Sequence, residues 1–182
     1  MAKKKLLTLV AVLGILACGA CLLPPLPQMK IPLPPNLAGV HKIAIRVEDG
    51  TADNFFDPVN MSSTTTDNFN RTMTDYRVRA QTFNARGDHD AVLRITVFSR
   101  AASCIPDYNG EYCSIELIAS YTLTDLDGRV LISRPRESSK NCIWRQGSSL
   151  PDNLKVNTFR ILASESLAAT AGKMLTDSTH SQ

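Results

Sequence analysis

Five cysteines and three histidines are the residues of this chain best suited to chemistry, and their spacing limits what that chemistry can be. His41, His89 and His180 lie far apart in sequence. Only His89 has acidic neighbours, in Gly87-Asp88-His89-Asp90, where flanking carboxylates have the composition of a held base or a metal site. No activated nucleophile or further ligand set accompanies it, so a solvated turn is the reading adopted. No glycine-rich phosphate loop follows a strand pattern, and no Gly-x-Ser-x-Gly elbow occurs. The cysteines lack the repeated close pairs, or paired cysteines and histidines, that a zinc site needs. The expectation is a protein with no catalytic residue, no metal and no cofactor.

The first two cysteines belong to a different kind of chemistry. Lys3, Lys4 and Lys5 precede the apolar run Leu6–Ala17, which is too short to span a bilayer and reads as a secretory signal. Ile15-Leu16-Ala17-Cys18 resembles the bacterial lipobox, in which a signal peptidase cuts before a cysteine that carries lipid. Cys18 is therefore the expected lipid anchor, after a signal peptide over 1–17. Cys21 is the alternative, although Cys18-Gly19-Ala20 before it lacks the aliphatic residue three places upstream. No aspartate follows Cys18, so the inner-membrane retention signal is absent and outer-membrane anchoring on the periplasmic side is expected. Cleavage removes 17 of 182 residues and leaves 165, enough for one domain with a core. It also removes three of 20 basic residues, leaving 17 against 17 acidic ones. A neutral mature chain argues against nucleic acid as a partner.

Cys104, Cys113 and Cys142 remain, a usage that suits an oxidising compartment. Cys104 and Cys113 bracket a turn-rich stretch, and a bridge there would close a ring of about ten residues, worth ~2–3 kcal/mol in the chain-entropy model. The rival partner for Cys113 is Cys142. With Asp127-Gly128 as the centre of a hairpin, residues whose numbers sum to 255 face each other, and 113 and 142 do so. Pro135 and its polar surroundings interrupt that register, which favours Cys104–Cys113. Arg134, Arg136, Lys140 and Arg145 form the densest basic group and are the candidate contacts for an anionic partner, a solvated loop being the alternative.

The elements that must position these residues follow from periodicity. Leu22–Asn36 carries six prolines and reads as a semi-rigid extended tether of roughly 40 Å. The tether is thus expected over 18–38 and a single domain over 39–178. Ile43, Ile45 and Val47 alternate as a half-buried strand. Met61, Thr65, Phe69, Met73 and Tyr76 fall at helical spacing within Asp57–Asp75, despite a composition poor for helix. Tyr76–Ala80 alternates again. Leu93, Ile95 and Val97 mark a strand over Asp90–Arg100, with Arg94, Thr96 and Arg100 on its other face. Ile115, Leu117, Ala119, Tyr121 and Leu123 mark another over Cys113–Asp125. Asp127-Gly128 turns into a return strand at Val130–Ile132, and Arg134–Gly147 is expected to be irregular at first. Pro151 and Asp152 open a long final helix. Strands with one apolar face need one covering layer. The expected fold is α+β, a two-layer sandwich with two helices on one face of a mostly antiparallel or mixed sheet of four to five strands.

Three stretches resemble the lipopolysaccharide-assembly lipoproteins (LptE family). Val40-His41-Lys42-Ile43-Ala44-Ile45 resembles their first strand, Asp90-Ala91-Val92-Leu93-Arg94-Ile95 their "ADAVL" strand, and Tyr121–Leu131 their "L-x-D-x-x-G-x-V-L" hairpin. The resemblance implies a lipoprotein that plugs an outer-membrane β-barrel and assists lipopolysaccharide assembly. Its implied partners are the barrel, lipopolysaccharide and, through the N-terminal lipid, the membrane. The alternative is a periplasm-facing lipoprotein that regulates an envelope enzyme such as a peptidoglycan synthase.

Overall fold

A computed structural model describes residues 29–51 and 55–177. The leader, Cys18, Cys21, the first half of the proline-rich segment and His180 lie outside them. In chain order the elements are β1 (Lys42–Asp49), α1 (Pro58–Thr72), β2 (Arg79–Thr82), β3 (Ala91–Asp107), β4 (Gly110–Asp125), β5 (Val130–Gln146) and α2 (Asp152–Thr176). The strands form one sheet in the order β2-β1-β3-β4-β5, with β1 parallel to both neighbours and the other ladders antiparallel. Both helices cover the same face, which is the α+β two-layer arrangement that single-faced strands require.

α1 forms although Ser and Thr dominate it. Asp57 caps it, accepting from the Val59 amide at 3.0 Å, and Pro58 occupies its first turn. Ser62, Thr64, Thr66 and Thr72 each donate a hydroxyl to the carbonyl four residues back, which satisfies groups that would otherwise compete with the helix. Met61, Thr65 and Phe69 on one stripe, with Met73 just beyond, supply its buried face. Ser62 also accepts from the Val47 amide at 2.9 Å, tying the helix to β1. α2 is lined with small residues where it meets α1. A β-carbon on Gly172 would come within 3.1 Å of Met73 Sδ, so the two helices approach there closely. The core joins Ile43, Ile45 and Val47 to Leu93, Ile95, Ile115, Leu117 and Leu123 beneath Phe69 and Leu167.

Three expectations change. The proline-rich tether ends earlier than residue 38. Ile31 bridges to Tyr76 in parallel fashion, its amide donating to the Asp75 carbonyl at 2.7 Å, and Leu33, Leu37 and Val40 enter the core. Prolines forbid a helix or an inner strand, but an extended edge segment with leucines between them can still lie on the domain. Arg134–Gly147 is regular rather than irregular, since β5 pairs with β4 along almost all its length. Pro135 is accommodated by a bulge: Pro135 and Arg136 together stand opposite Ser120, between the pairs Tyr121↔Arg134 and Ala119↔Glu137. Finally, Arg100 lies on the helix-covered face. Phe98 is a bulged residue of β3, so the alternation reverses after it and Arg100 stacks over the Phe55 ring at 3.7 Å.

Candidate functional site

Among the described residues nothing covers the sheet face opposite the helices, and its make-up follows from alternation and register. Directly opposed residues of neighbouring strands share a face. Thr96, Ser120, Thr122 and Thr124 form a band of hydroxyls through its middle, bordered by Arg46, Glu48 and Arg94. Glu48 takes Arg46 at 2.9 Å and Arg94 at 3.6 Å, and Glu116 takes Lys140 at 2.9 Å. All three are solvated: Arg46–Glu48 lies along β1, Arg94–Glu48 and Lys140–Glu116 cross between strands, and the hydrogen bond to Glu116 raises the Lys140 pKa above its ordinary value. At the far end of the β3–β4–β5 hairpins the face turns apolar. Ile105, Tyr112 and Trp144 lie in one cross-strand row and remain 60%, 39% and 49% exposed. Such a face can hydrogen-bond a flat polar partner along its length and hold it at one end by aromatic contact.

The cysteines behave as two units. Cys104 and Cys113 are bridged, with Cα atoms 4.0 Å apart. They sit opposite each other within a regular ladder that continues to a two-residue turn at Tyr108-Asn109, so the bridge is a cross-strand staple and not the neck of a loop. Cys142 is a free, exposed thiol paired in register with Ser114 on the open face. Its hydrogen bond with Tyr112, followed by burial, raises the Tyr112 pKa.

The basic group is not a patch. Placing it on a strand instead of a loop divides it between the two faces of β5. Arg134 faces α2 and lies 3.9 Å from Glu137, Lys140 is paired with Glu116 on the open face, Arg136 is in the bulge, and Arg145 is opposite Glu111 near the hairpin tip. The Asp88-His89-Asp90 turn serves β1. Asp90 accepts from the His41 and Lys42 amides, both at 2.8 Å, and Asp88 pairs with the Lys42 ammonium. These bonds hold the Asp90 carboxyl below its ordinary pKa against the opposing effect of its partial burial. Both carboxylates are thereby committed to the strand start.

Glu111 is the charged residue that sequence reading passed over, being one letter in a turn-rich stretch. It is buried, accepting from Ser149 Oγ at 2.9 Å and the Leu150 amide at 3.1 Å, with Lys155 Nζ at 3.3 Å. The hairpin tip is thus tied to the start of α2. Glu111 also lies beside Cys104 and Cys113, but two bridged sulfurs and an engaged carboxylate do not make a metal site. No helix among the described residues is long and apolar enough to cross a membrane.

No family model matches the chain, and no curated protein matches it. Several solved structures are similar. A PelC dodecamer from Paraburkholderia phytofirmans is 15% identical over 78% of this chain and 94% of its own, with a TM-score of 0.40. A minor lipoprotein from Acinetobacter baumannii is 11% identical over 75% and 91%, with a TM-score of 0.41. An uncharacterized lipoprotein B from Nitrosomonas europaea is 10% identical over 86% and 94%, with a TM-score of 0.40. Likeness at this level carries no weight for family or function, and the resemblance to the lipopolysaccharide-assembly lipoproteins gains no support from it.

Proposed function

We propose that the mature protein is an envelope lipoprotein, anchored through Cys18 to the periplasmic side of the outer membrane, that works by association and not by catalysis. The observation that carries this reading is the open sheet face. A folded domain that covers one face with two helices and leaves five strands of hydroxyls and ion pairs bare presents a binding surface. The partner proposed is an outer-membrane β-barrel, whose lumen is polar and would meet such a face with hydrogen bonds. The assignment to lipopolysaccharide assembly rests on the sequence resemblance. The regulator of an envelope enzyme, the alternative reading, needs reach across the periplasm. The fold works against it, because the proline-rich segment joins the domain from Ile31 onward.

Site-specific photocrosslinking from Thr122 on the open face tests the proposal in intact cells. Capture of a large barrel protein, with barrel loss and missing surface lipopolysaccharide on depletion, is the expected result. Capture of an inner-membrane enzyme with normal barrel assembly would instead establish the regulator.

A further inference from the structure

β5 ends one side of the sheet, and among the described residues no strand lies along its outer edge. It runs for 17 residues, where strands of about 5–6 are usual. An open edge carries a row of backbone donors and acceptors ready to pair with another strand, so proteins keep such edges short, charged or interrupted. The bulge at Pro135 and Arg136 interrupts only the first part of this one. From Glu137 to Gln146 the ladder is regular and holds no proline, and its lysine, Lys140, is engaged by Glu116 on β4.

Register tells which backbone groups point outward. Gly147 donates to the Asn109 carbonyl at 3.0 Å, and the pairing from there back to Glu137 is unbroken. Alternation therefore turns the amides and carbonyls of the odd-numbered residues from 137 to 145 towards β4. Those of Ser138, Lys140, Cys142 and Trp144 point out. The Cys142 amide accords with this, since it donates to the side-chain oxygen of its neighbour, Asn141 Oδ1, at 2.8 Å.

Charge then decides what strand fits there. Glu137 and Arg145 stand near the two ends of the regular stretch, with side chains on the same, helix-covered face. Arg145 is exposed and has no ion pair among the described residues, while Glu137 has only Arg134, at 3.9 Å. A strand of this same sequence, laid antiparallel and centred on Asn141, sets each Glu137 opposite the partner's Arg145. It also pairs Lys140 with the partner's Cys142 and Ser138 with the partner's Trp144, all through outward-pointing backbone groups. Centring on Cys142 instead would set Glu137 opposite a glycine, and centring on Lys140 would oppose two lysines. We infer that the β5 edge joins two copies of this chain, a self-complementary contact of the kind a two-fold axis requires. The axis stands perpendicular to the sheet, so two five-stranded sheets become one and both open faces stay bare on the same side. The inference uses the strand edge alone and does not rest on the barrel reading.

Sedimentation equilibrium of the full-length protein in density-matched detergent tests the association, and cysteine trapping tests the register. The expected protein mass is twice the 19.9 kDa of one chain, less the leaders. In a Cys142→Ser background, Asn141→Cys places two thiols face to face in a non-hydrogen-bonded pair, with Cα atoms about 4.5 Å apart. It should oxidise to a covalent dimer at least ten-fold more than Ser139→Cys, whose copies lie at least ~13 Å apart along the ladder. Arg145→Glu and Glu137→Arg should each weaken association at least five-fold, and the two together should restore it. A monomeric wild-type protein, equal trapping at both positions, or single charge changes that leave association untouched would each overturn the proposal.

Discussion

Glu111 and Thr65 show how differently buried polar groups are treated in this molecule. Glu111 has three donors, and they hold its carboxyl below the ordinary carboxylate pKa, the Leu150 amide contributing most and burial opposing. A pKa lowered by folding means stability that is present above the unfolded value, near 4.3, and lost as pH falls through the folded one. Wild type should therefore exceed Glu111→Gln in stability at neutral pH, and urea titrations should show the gap closing in acid. A gap independent of pH would assign the effect to packing. Thr65 is fully buried on α1, and its hydroxyl has no hydrogen-bond partner among the described residues. Thr65→Val should raise stability by about 1 kcal/mol, read from the same unfolding curves.

At the scale of elements, the two central hairpins hold themselves together by covalent and steric means. The Cys104–Cys113 staple closes a ring of about ten residues, and reduction should lower stability by ~2–3 kcal/mol. Urea unfolding with and without reductant measures this, and peptide mapping should find those two cysteines joined. Gly110 begins β4 because a β-carbon there would lie 2.0 Å from the Arg145 carbonyl oxygen. Gly110→Ala should cost at least about 2 kcal/mol by forcing the strands apart. The alternation of Leu93, Ile95 and Val97, and of Ile115 through Leu123, made both faces of the sheet legible from sequence. The stripe Met61, Thr65, Phe69 revealed α1 against its propensity. What could not be read were single-residue insertions: the Phe98 bulge turned Arg100 inward, and the Pro135 bulge disguised a long strand as a loop.

At the scale of the whole molecule, the N-terminal segment sets how far the domain can work from its anchor. With Cys18 lipidated and Ile31 already on the domain, the intervening chain spans at most ~45 Å at ~3.6 Å per residue. Mass spectrometry of the mature N-terminus should find triacylated Cys18, and an unmodified chain beginning elsewhere would refute the anchor. Under the proposed anchoring, such a leash would keep the open face near the bilayer.

The bulge at Pro135 also bears on oxidative folding. Between Tyr121 and Leu123 the partners across the β4–β5 ladder sum to 255, whereas past the bulge they sum to 256, which sets Ile143 opposite Cys113 and Cys142 opposite Ser114. Were the bulge to straighten, Cys142 would slide opposite Cys113 and compete with Cys104 for it. Proline suits a bulge on an edge strand such as β5, so Pro135 is expected to favour the bulged register, and with it the Cys104–Cys113 pairing, during oxidative folding. Refolding of the reduced protein under oxidising conditions, quenched by alkylation, should yield almost none of the Cys113–Cys142 isomer. Pro135→Val should let that isomer accumulate before the native bridge wins.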